Sequence, residues 1–442
     1  PFYGTSAAAP VAAAVAALML QARPDLGTGD VTALLQDSAT PAGAPSVAGA
    51  GLINADLALT FAQSGVIYGS PQTTVRGLAL PCTLAGGAGA HVLVAGSGRT
   101  LIGSEGTDTV IAGAGADTVD LAGASALLFG ASGSLWVRDL GGADTVIGGT
   151  GAVSVSGGGI GGGAQYGGAA GGNRLTAGAA PTMLVGGGAG DTLVAAGSGD
   201  DTLFAPPSGA ATLLGGASGG NTFVAGGGAA LIATGGGTDQ VWLGGGPATV
   251  YGGAGNMVFG GGSAPALVFG GAAGGNLMFA GSGATTLVGG GAGDILVGNG
   301  PGDALIAAPG GEASLYGGTG TEIFAGGDGG TDLFALQTAD ALVAPGGARA
   351  VITFGSGDAN VAVGSAAELF NFVAGQGGGS ALIRGFDASR DMVRIAGFGA
   401  AGADAIENQS AAGGSTTLTL PDGTRVAFAG LAALNPTSVV FA

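Results

Sequence analysis

The run Leu184-Val185-Gly186-Gly187-Gly188-Ala189-Gly190-Asp191-Thr192-Leu193-Val194 decides how this chain is read. Two apolar pairs stand nine residues apart, and a glycine-rich turn with one acid separates them. The unit recurs at Leu203, Leu213, Phe223, Leu231, Val241, Val250 and Val258, then at Leu267, Leu277, Leu287, Leu296, Leu305, Leu315, Ile323, Leu333, Leu342, Val351, Val361 and Leu369, in steps of eight, nine or ten residues. Such steps are too short for a strand-helix unit, and β-formers at each node favour strands. A strand of about three residues followed by a six-residue turn stacks as a parallel solenoid with two repeats per coil. About thirty strands then give about fifteen coils, a rod of roughly 70 Å at ~4.8 Å between strands.

Composition supports this reading by exclusion. Glycine accounts for 102 of 442 residues. Collagen needs it at every third position, and Gly186-Gly187-Gly188 breaks that rule. Disorder needs low hydrophobicity and high charge, whereas 46% of residues are hydrophobic and 9% charged. A net charge of −18 with no Lys leaves no basic surface for phosphates, so no nucleic-acid partner is expected. The same absence removes P-loops, Schiff bases and Ser-Lys dyads. Gly-x-Gly-x-x-Gly matches follow from composition alone, with no Rossmann pattern after them. Cys82 is alone, cannot form an intrachain disulfide, and reads as a small apolar filler.

Residues 1–63 are Ala-rich and helical. Val11, Val15, Leu18 and Met19 fall at helical spacing, Pro24 stops that helix, Thr28 caps a second with Asp30 in its first turn, and a third runs from about Asn54 to Ala62. Three small helices make a weak core alone and read as the end of a larger domain, so further sequence is expected before Pro1. Ala7 to Leu20 has no basic residue before it and falls short of the ~20 residues of a membrane span, so a buried helix is expected. Residues 64–92, with Pro71 and Pro81, read as a linker, 93–365 as the solenoid and 366–442 as its cap. In the cap, Thr416 to Leu420 and Thr424 to Phe428 flank Asp422-Gly423, a hairpin signal. The fold class is therefore mainly β: a β-roll or β-solenoid of short strands, with a small helical segment before it and a β cap after it.

Gly4-Thr5-Ser6-Ala7-Ala8-Ala9-Pro10 places a serine where a helix of small residues begins. It resembles the nucleophile motif of the subtilisin-like serine peptidases, and the likeness continues through Val15 to Leu20, Pro24-Asp25-Leu26 and Gly49-Ala50-Gly51-Leu52-Ile53-Asn54-Ala55. The resemblance implies that Ser6 is a catalytic nucleophile acting on protein or peptide substrates, and that residues 1–63 are the last part of a subtilisin-like α/β domain. A helix N-terminus and the Ser6 N–H suit an oxyanion. Val11 stands where many members carry a non-catalytic His. The family's catalytic Asp and His precede its serine, so this chain alone is expected to be inert. His91, the only histidine, reads as a surface residue.

Gly103-Ser104-Glu105-Gly106-Thr107-Asp108-Thr109-Val110-Ile111, the following Ala112 to Asp120, and Ala196 to Phe204 are similar to the nonapeptide repeats of RTX (haemolysin-type) proteins. That likeness implies Ca²⁺ at a few weak sites, with Asp108, Asp117, Asp191, Asp201, Asp294, Asp303 and Asp332 as ligands. Asp144 is similarly placed, while Asn221, Asn256 and Asn276 stand where an acid is expected. Trp136 and Trp242 fall on strand nodes and read as core or face packing rather than ligand stacking. The elements Glu368 to Phe372, Phe386-Asp387, Asp391 to Ile395 and Gly397-Phe398 resemble the ends of type I secreted proteins. This implies a secreted or cell-surface protein whose partner in export is the type I secretion apparatus. The expectation is the C-terminal portion of a secreted subtilisin-like endopeptidase; the alternative is a non-enzymatic calcium-binding or adhesive surface solenoid.

Overall fold

In a computed structural model the chain is mainly β, a parallel β-solenoid of about 17 turns with few helices. The structure describes residues 4–69, 73–123, 125–157, 161–336, 341–347 and 349–442. It comprises two compact units, Pro1–Gly216 and Ala217–Ala442.

The first unit opens with helices α1 (Thr5–Ala22), α2 (Thr28–Asp37), α3 (Pro45–Ala48) and α4 (Ala55–Ser64). Helix α1 stops just before Pro24, as its sequence requires. Gly27, not Thr28, caps α2, and its N–H donates to Asp30 Oδ2 at 3.0 Å. Asn54 caps α4 by accepting from the Leu57 N–H. Contrary to the expectation of a buried helix, only Val15 and Met19 of α1 are buried, because α2 and α4 pack along one side of it. By length and composition α1 is also apolar enough to cross a membrane.

Residues 64–92 are no linker. Strands Val66–Tyr68, Thr74–Arg76, Cys82–Ala85 and Val92–Val94 already belong to the parallel ladder, with Ile67 opposite Leu84 and Val75 opposite Leu93. Their inward residues keep the eight- or nine-residue step of the later repeats, which explains why the coils outnumber the fifteen expected. Pro71 lies outside the described residues. The helices are tied to these first coils by two acids: Asp30 Oδ1 accepts from the Ala79 N–H at 2.7 Å, and Asp37 Oδ2 from the Arg76 N–H at 2.6 Å. Burial pushes the Asp37 carboxyl up to about 6 despite Arg76.

Within each unit, alternate strands pair, so every coil contributes one strand to each of two sheets. Alternate residues of the strands face the core, most strands having an apolar inward node. Val110, Val119, Leu128 and Val137 do so in the first unit, and Val241, Val250, Phe259 and Val268 in the second, all fully buried. At Leu231, Val258, Leu267, Leu277, Ile323, Leu333, Val351 and Leu369 the inward residue is the one after the expected node. The outward neighbours there are apolar too, so alternation is silent in the sequence. The Leu342 side chain lies outside the described residues. Turns need glycine for close stacking: a Cβ on Gly113 would overlap the Gly96 carbonyl oxygen of the coil before.

The second unit ends as a cap. Parallel pairing runs through Glu368–Val373 and Met392–Ala396, followed by α5 (Ala400–Glu407) and an antiparallel hairpin in which Thr419 pairs with Arg425 across Asp422-Gly423; the hairpin's second strand, Arg425–Ala429, and the last strand, Val439–Phe441, still pair parallel with Ser380–Arg384 and Met392–Ala396. Phe386 lies between Phe370 and Phe428, with ring centroids 5.8 and 5.0 Å away.

Candidate functional site

Strand alternation decides where the turn acids point. An Asp two residues before the inward node lies on the node's face of the strand, so its carboxylate enters the core side of the coil. All seven predicted calcium ligands do this, and each is buried. At six of them, all but Asp201, the two oxygens accept hydrogen bonds on two sides. One oxygen takes an N–H from the preceding coil: His91 to Asp108 at 2.7 Å, Thr100 to Asp117 at 3.0 Å, Thr182 to Asp201 at 2.8 Å, Thr285 to Asp303 at 2.8 Å and Ala313 to Asp332 at 3.0 Å. The other closes the residue's own turn, as Gly113 N–H to Asp117 at 2.6 Å, Asn299 N–H to Asp303 at 2.9 Å and Gly327 N–H to Asp332 at 2.7 Å.

Asp191 and Asp294 carry the arrangement further. Asp191 Oδ1 accepts from the N–H and Nδ2 of Asn173, both at 2.8 Å, while Oδ2 accepts from Gly187 and Gly188 at 2.7 and 3.1 Å. Asp294 repeats this with Asn276 at 2.9 and 2.7 Å and with Gly290 and Gly291 at 2.7 and 3.1 Å. Each Asn in turn ties the coil before to its own turn, since Asn276 Oδ1 accepts from Met257 of the coil before and from Gly271. Asn at this place combines what a second Asp could not: an acceptor for the coil before and its own turn, and a donor for the carboxylate of the next. Asn221 also stands at a strand head and donates its N–H to Asp239, but Asn256 does not, because Met257 takes the inward position. Asn173, Asp239, Glu322 and Glu368 are strand-head residues that the repeat search missed; their position two before an inward node was the available signal.

This donor set does not fit Ca²⁺. A calcium ion needs six to eight oxygen ligands, and here the carboxylate oxygens already receive N–H groups, whose hydrogens repel a cation. Among the described residues no group of three or more His, Cys, Asp or Glu could hold a metal. The neighbours one coil before are mostly neutral: Thr100 faces Asp117 and Asn276 faces Asp294. Asp303 and Glu322 are an exception, standing in adjacent coils where Ala304 pairs with Ile323. Burial first, then the Asp303 charge, pushes Glu322 up to about 7, and its Oε2 has no hydrogen-bond partner among the described residues. Glu368 is likewise raised to about 7 by burial and by Asp391, with Oε2 unpartnered among the described residues. Asp201 rises to about 6, chiefly by burial. Asp139 rises to about 7 by burial and the adjacent Asp144 charge.

Ser6 stands at the other candidate site. It is the second residue of α1 and exposed, and the cap before it is Gly4, whose φ of 78° suits only glycine. The Gly4 carbonyl accepts from Ala7 and Ala8, and α1 has no side-chain cap, so Ser6 does not serve as one. His91 is not brought to Ser6, nor is it the surface residue expected. Its side chain is 12% exposed and its Nδ1 lies 3.3 Å from Asp108 Oδ1, whose Oδ2 accepts from Ser104 Oγ. Residues 1–51 match the subtilase family, Peptidase_S8. No curated protein and no solved structure matches the chain. The subtilase match places Ser6 in a segment of peptidase origin, and it ends before the first strand of the solenoid. Trp136 and Trp242 point outward from their sheets, 43% and 44% exposed, so neither is core.

Proposed function

We propose that this chain is the C-terminal portion of a secreted subtilisin-like serine endopeptidase, with Ser6 as nucleophile and the solenoid as an appended stalk. The observation that supports it is the subtilase match over residues 1–51 with Ser6 in the first turn of an 18-residue helix. In this reading Ser6 Oγ attacks the carbonyl of a protein or peptide substrate and its proton passes to a histidine outside this chain. The helix N-terminus favours the negative charge that develops on the carbonyl oxygen. The uncovered sides of α1 are where the remainder of the peptidase domain would pack, and export would use the type I secretion apparatus. Calcium has no part in this reading, because the carboxylates offered for it are engaged by N–H donors.

A fluorophosphonate probe tests the proposal on the protein secreted by its source. Labelling at Ser6, abolished by Ser6→Ala, is expected, whereas the 442-residue chain alone stays unlabelled. A secreted protein that folds but takes no label would support the alternative, a non-enzymatic surface solenoid.

A further inference from the structure

Over five consecutive strands of one sheet in each unit, one outward column carries an aromatic at every second strand. In the first unit the register runs Phe129, Ile147, Tyr166, Val185, Phe204. In the second it runs Trp242, Gly260, Phe279, Val297, Tyr316. The six aromatics are 37 or 38 residues apart in sequence. Aromatics within a unit are therefore separated by two strand spacings, about 9.6 Å. Phe129, Trp242, Phe279 and Tyr316 are 37–44% exposed. Trp242 lies down on the sheet: a Cβ on Gly260 would run into its six-membered ring, so the indole covers the Gly260 backbone.

We propose that these columns bind a neutral, extended β-1,4-linked polysaccharide, one pyranose face on each aromatic ring. A pyranose with equatorial hydroxyls presents a flat face of axial C–H groups that packs on an aromatic face. In a fully extended β-1,4 chain every second sugar turns the same way, and that disaccharide repeat is close to two strand spacings. The companion outward positions on these strands carry no charge and include Thr145, Thr202, Gln240 and Ser314, which can meet sugar hydroxyls. A net charge of −18 disfavours nucleic acid, anionic lipid and anionic glycans alike. A second copy is disfavoured by size, since five strands two outward residues wide offer on the order of 200 Å² per unit, against roughly 800 Å² per partner in a standard interface.

The test incubates the full chain with microcrystalline cellulose, powdered chitin and granular starch, and measures what remains in solution. Cellulose or chitin should deplete the protein and starch, whose chain is coiled, should not. The variant Trp242→Ala/Phe279→Ala/Tyr316→Ala combined with Phe129→Ala/Tyr166→Ala/Phe204→Ala should lose at least tenfold in partition with an unchanged circular dichroism spectrum. Should that variant fail to fold, Trp242 fluorescence in a Trp136→Phe background reports instead, and cellohexaose should shift it while maltohexaose does not. No depletion by either polymer, equal binding by the folded six-residue variant, or a fluorescence signal blind to cellohexaose would overturn the proposal. So would a wild-type dimer that this variant converts to monomer, since the columns would then pair copies.

Discussion

Asp294 and Glu322 belong to the same unit and each is the first residue of its strand, one in each of the two sheets, yet they are satisfied very differently. Asp294 receives four N–H donors, two from Asn276 and two from its own turn. Glu322 receives one, from Gly318 at 2.8 Å, and its other oxygen is buried without a partner among the described residues. Two things make the difference. The coil before offers Asp294 a second donor, the Asn276 side chain, where Glu322 meets the Asp303 carboxylate, and the longer Glu keeps only the bond to its own turn. The acids of this solenoid are thus coil clamps, good or poor according to side-chain length and to the neighbour one coil before.

The largest break in that comparison is Asp294→Ala. It strips the acceptor from four donors, and each buried donor left unpaired costs roughly 1–3 kcal/mol. Relief from burying the carboxylate offsets part of this, so a loss of about 3–5 kcal/mol is expected in denaturant unfolding of the second unit. Exchange should quicken at the Asn276, Gly290 and Gly291 amides. Asp191→Ala should do the same in the first unit, where the distances agree within 0.1 Å. If Glu322→Ala cost as much as Asp294→Ala, the clamp hierarchy would be wrong.

A smaller effect, of opposite sign, comes from titration. Glu322 and Glu368 sit at about 7 when folded, against 4.5 for the ordinary side chain. Between those values the unfolded chain has released its proton and the folded chain has kept it, so stability falls as pH rises from about 4.5 to 7 and then levels off. Each group contributes about 3 kcal/mol to that fall. Glu322→Gln keeps the Gly318 bond and removes the buried charge. It should therefore raise the denaturation midpoint at pH 8 and leave it nearly unchanged at pH 5. A midpoint equally lowered at both pH values would mean that the carboxylate, not its neutral form, is what the site holds.

How much of this was legible follows from what a repeat encodes. The nodes from Leu184 to Leu369 fix a parallel solenoid, because nothing else packs apolar pairs at nine-residue steps. The start at Val66 was hidden by a change in composition, although Ile67, Val75, Leu84 and Leu93 keep the rhythm. The motif around Ser6 spans seven contiguous residues, and the structure puts Ser6 second in α1. The fate of the acids was not legible from the motif: Gly-x-Gly-x-Asp looks alike whether the carboxylate meets a cation or a backbone N–H. What separates the two is the face of the strand, readable only once the inward node is known. At Leu267 and Leu333, with apolar residues on both faces, the sequence leaves that node ambiguous.

The smallest expected effect sharpens the same point. Melting of the chain in millimolar Ca²⁺ and in excess chelator should agree within about a degree. A ligand that binds only the folded state at a hundred times its dissociation constant adds about 2.7 kcal/mol, which a melting curve would register. For Ca²⁺ to gain such a site here, Asp108 would have to release the His91 N–H and Ser104 Oγ, and Asp117 the Thr100 and Gly113 N–H groups. Each release leaves a donor unpaired, so the cation would have to outbid bonds of 2.6 to 3.0 Å that already serve both coils. A melting point that climbs steadily with Ca²⁺ would show that it does, and would turn these clamps back into ligands.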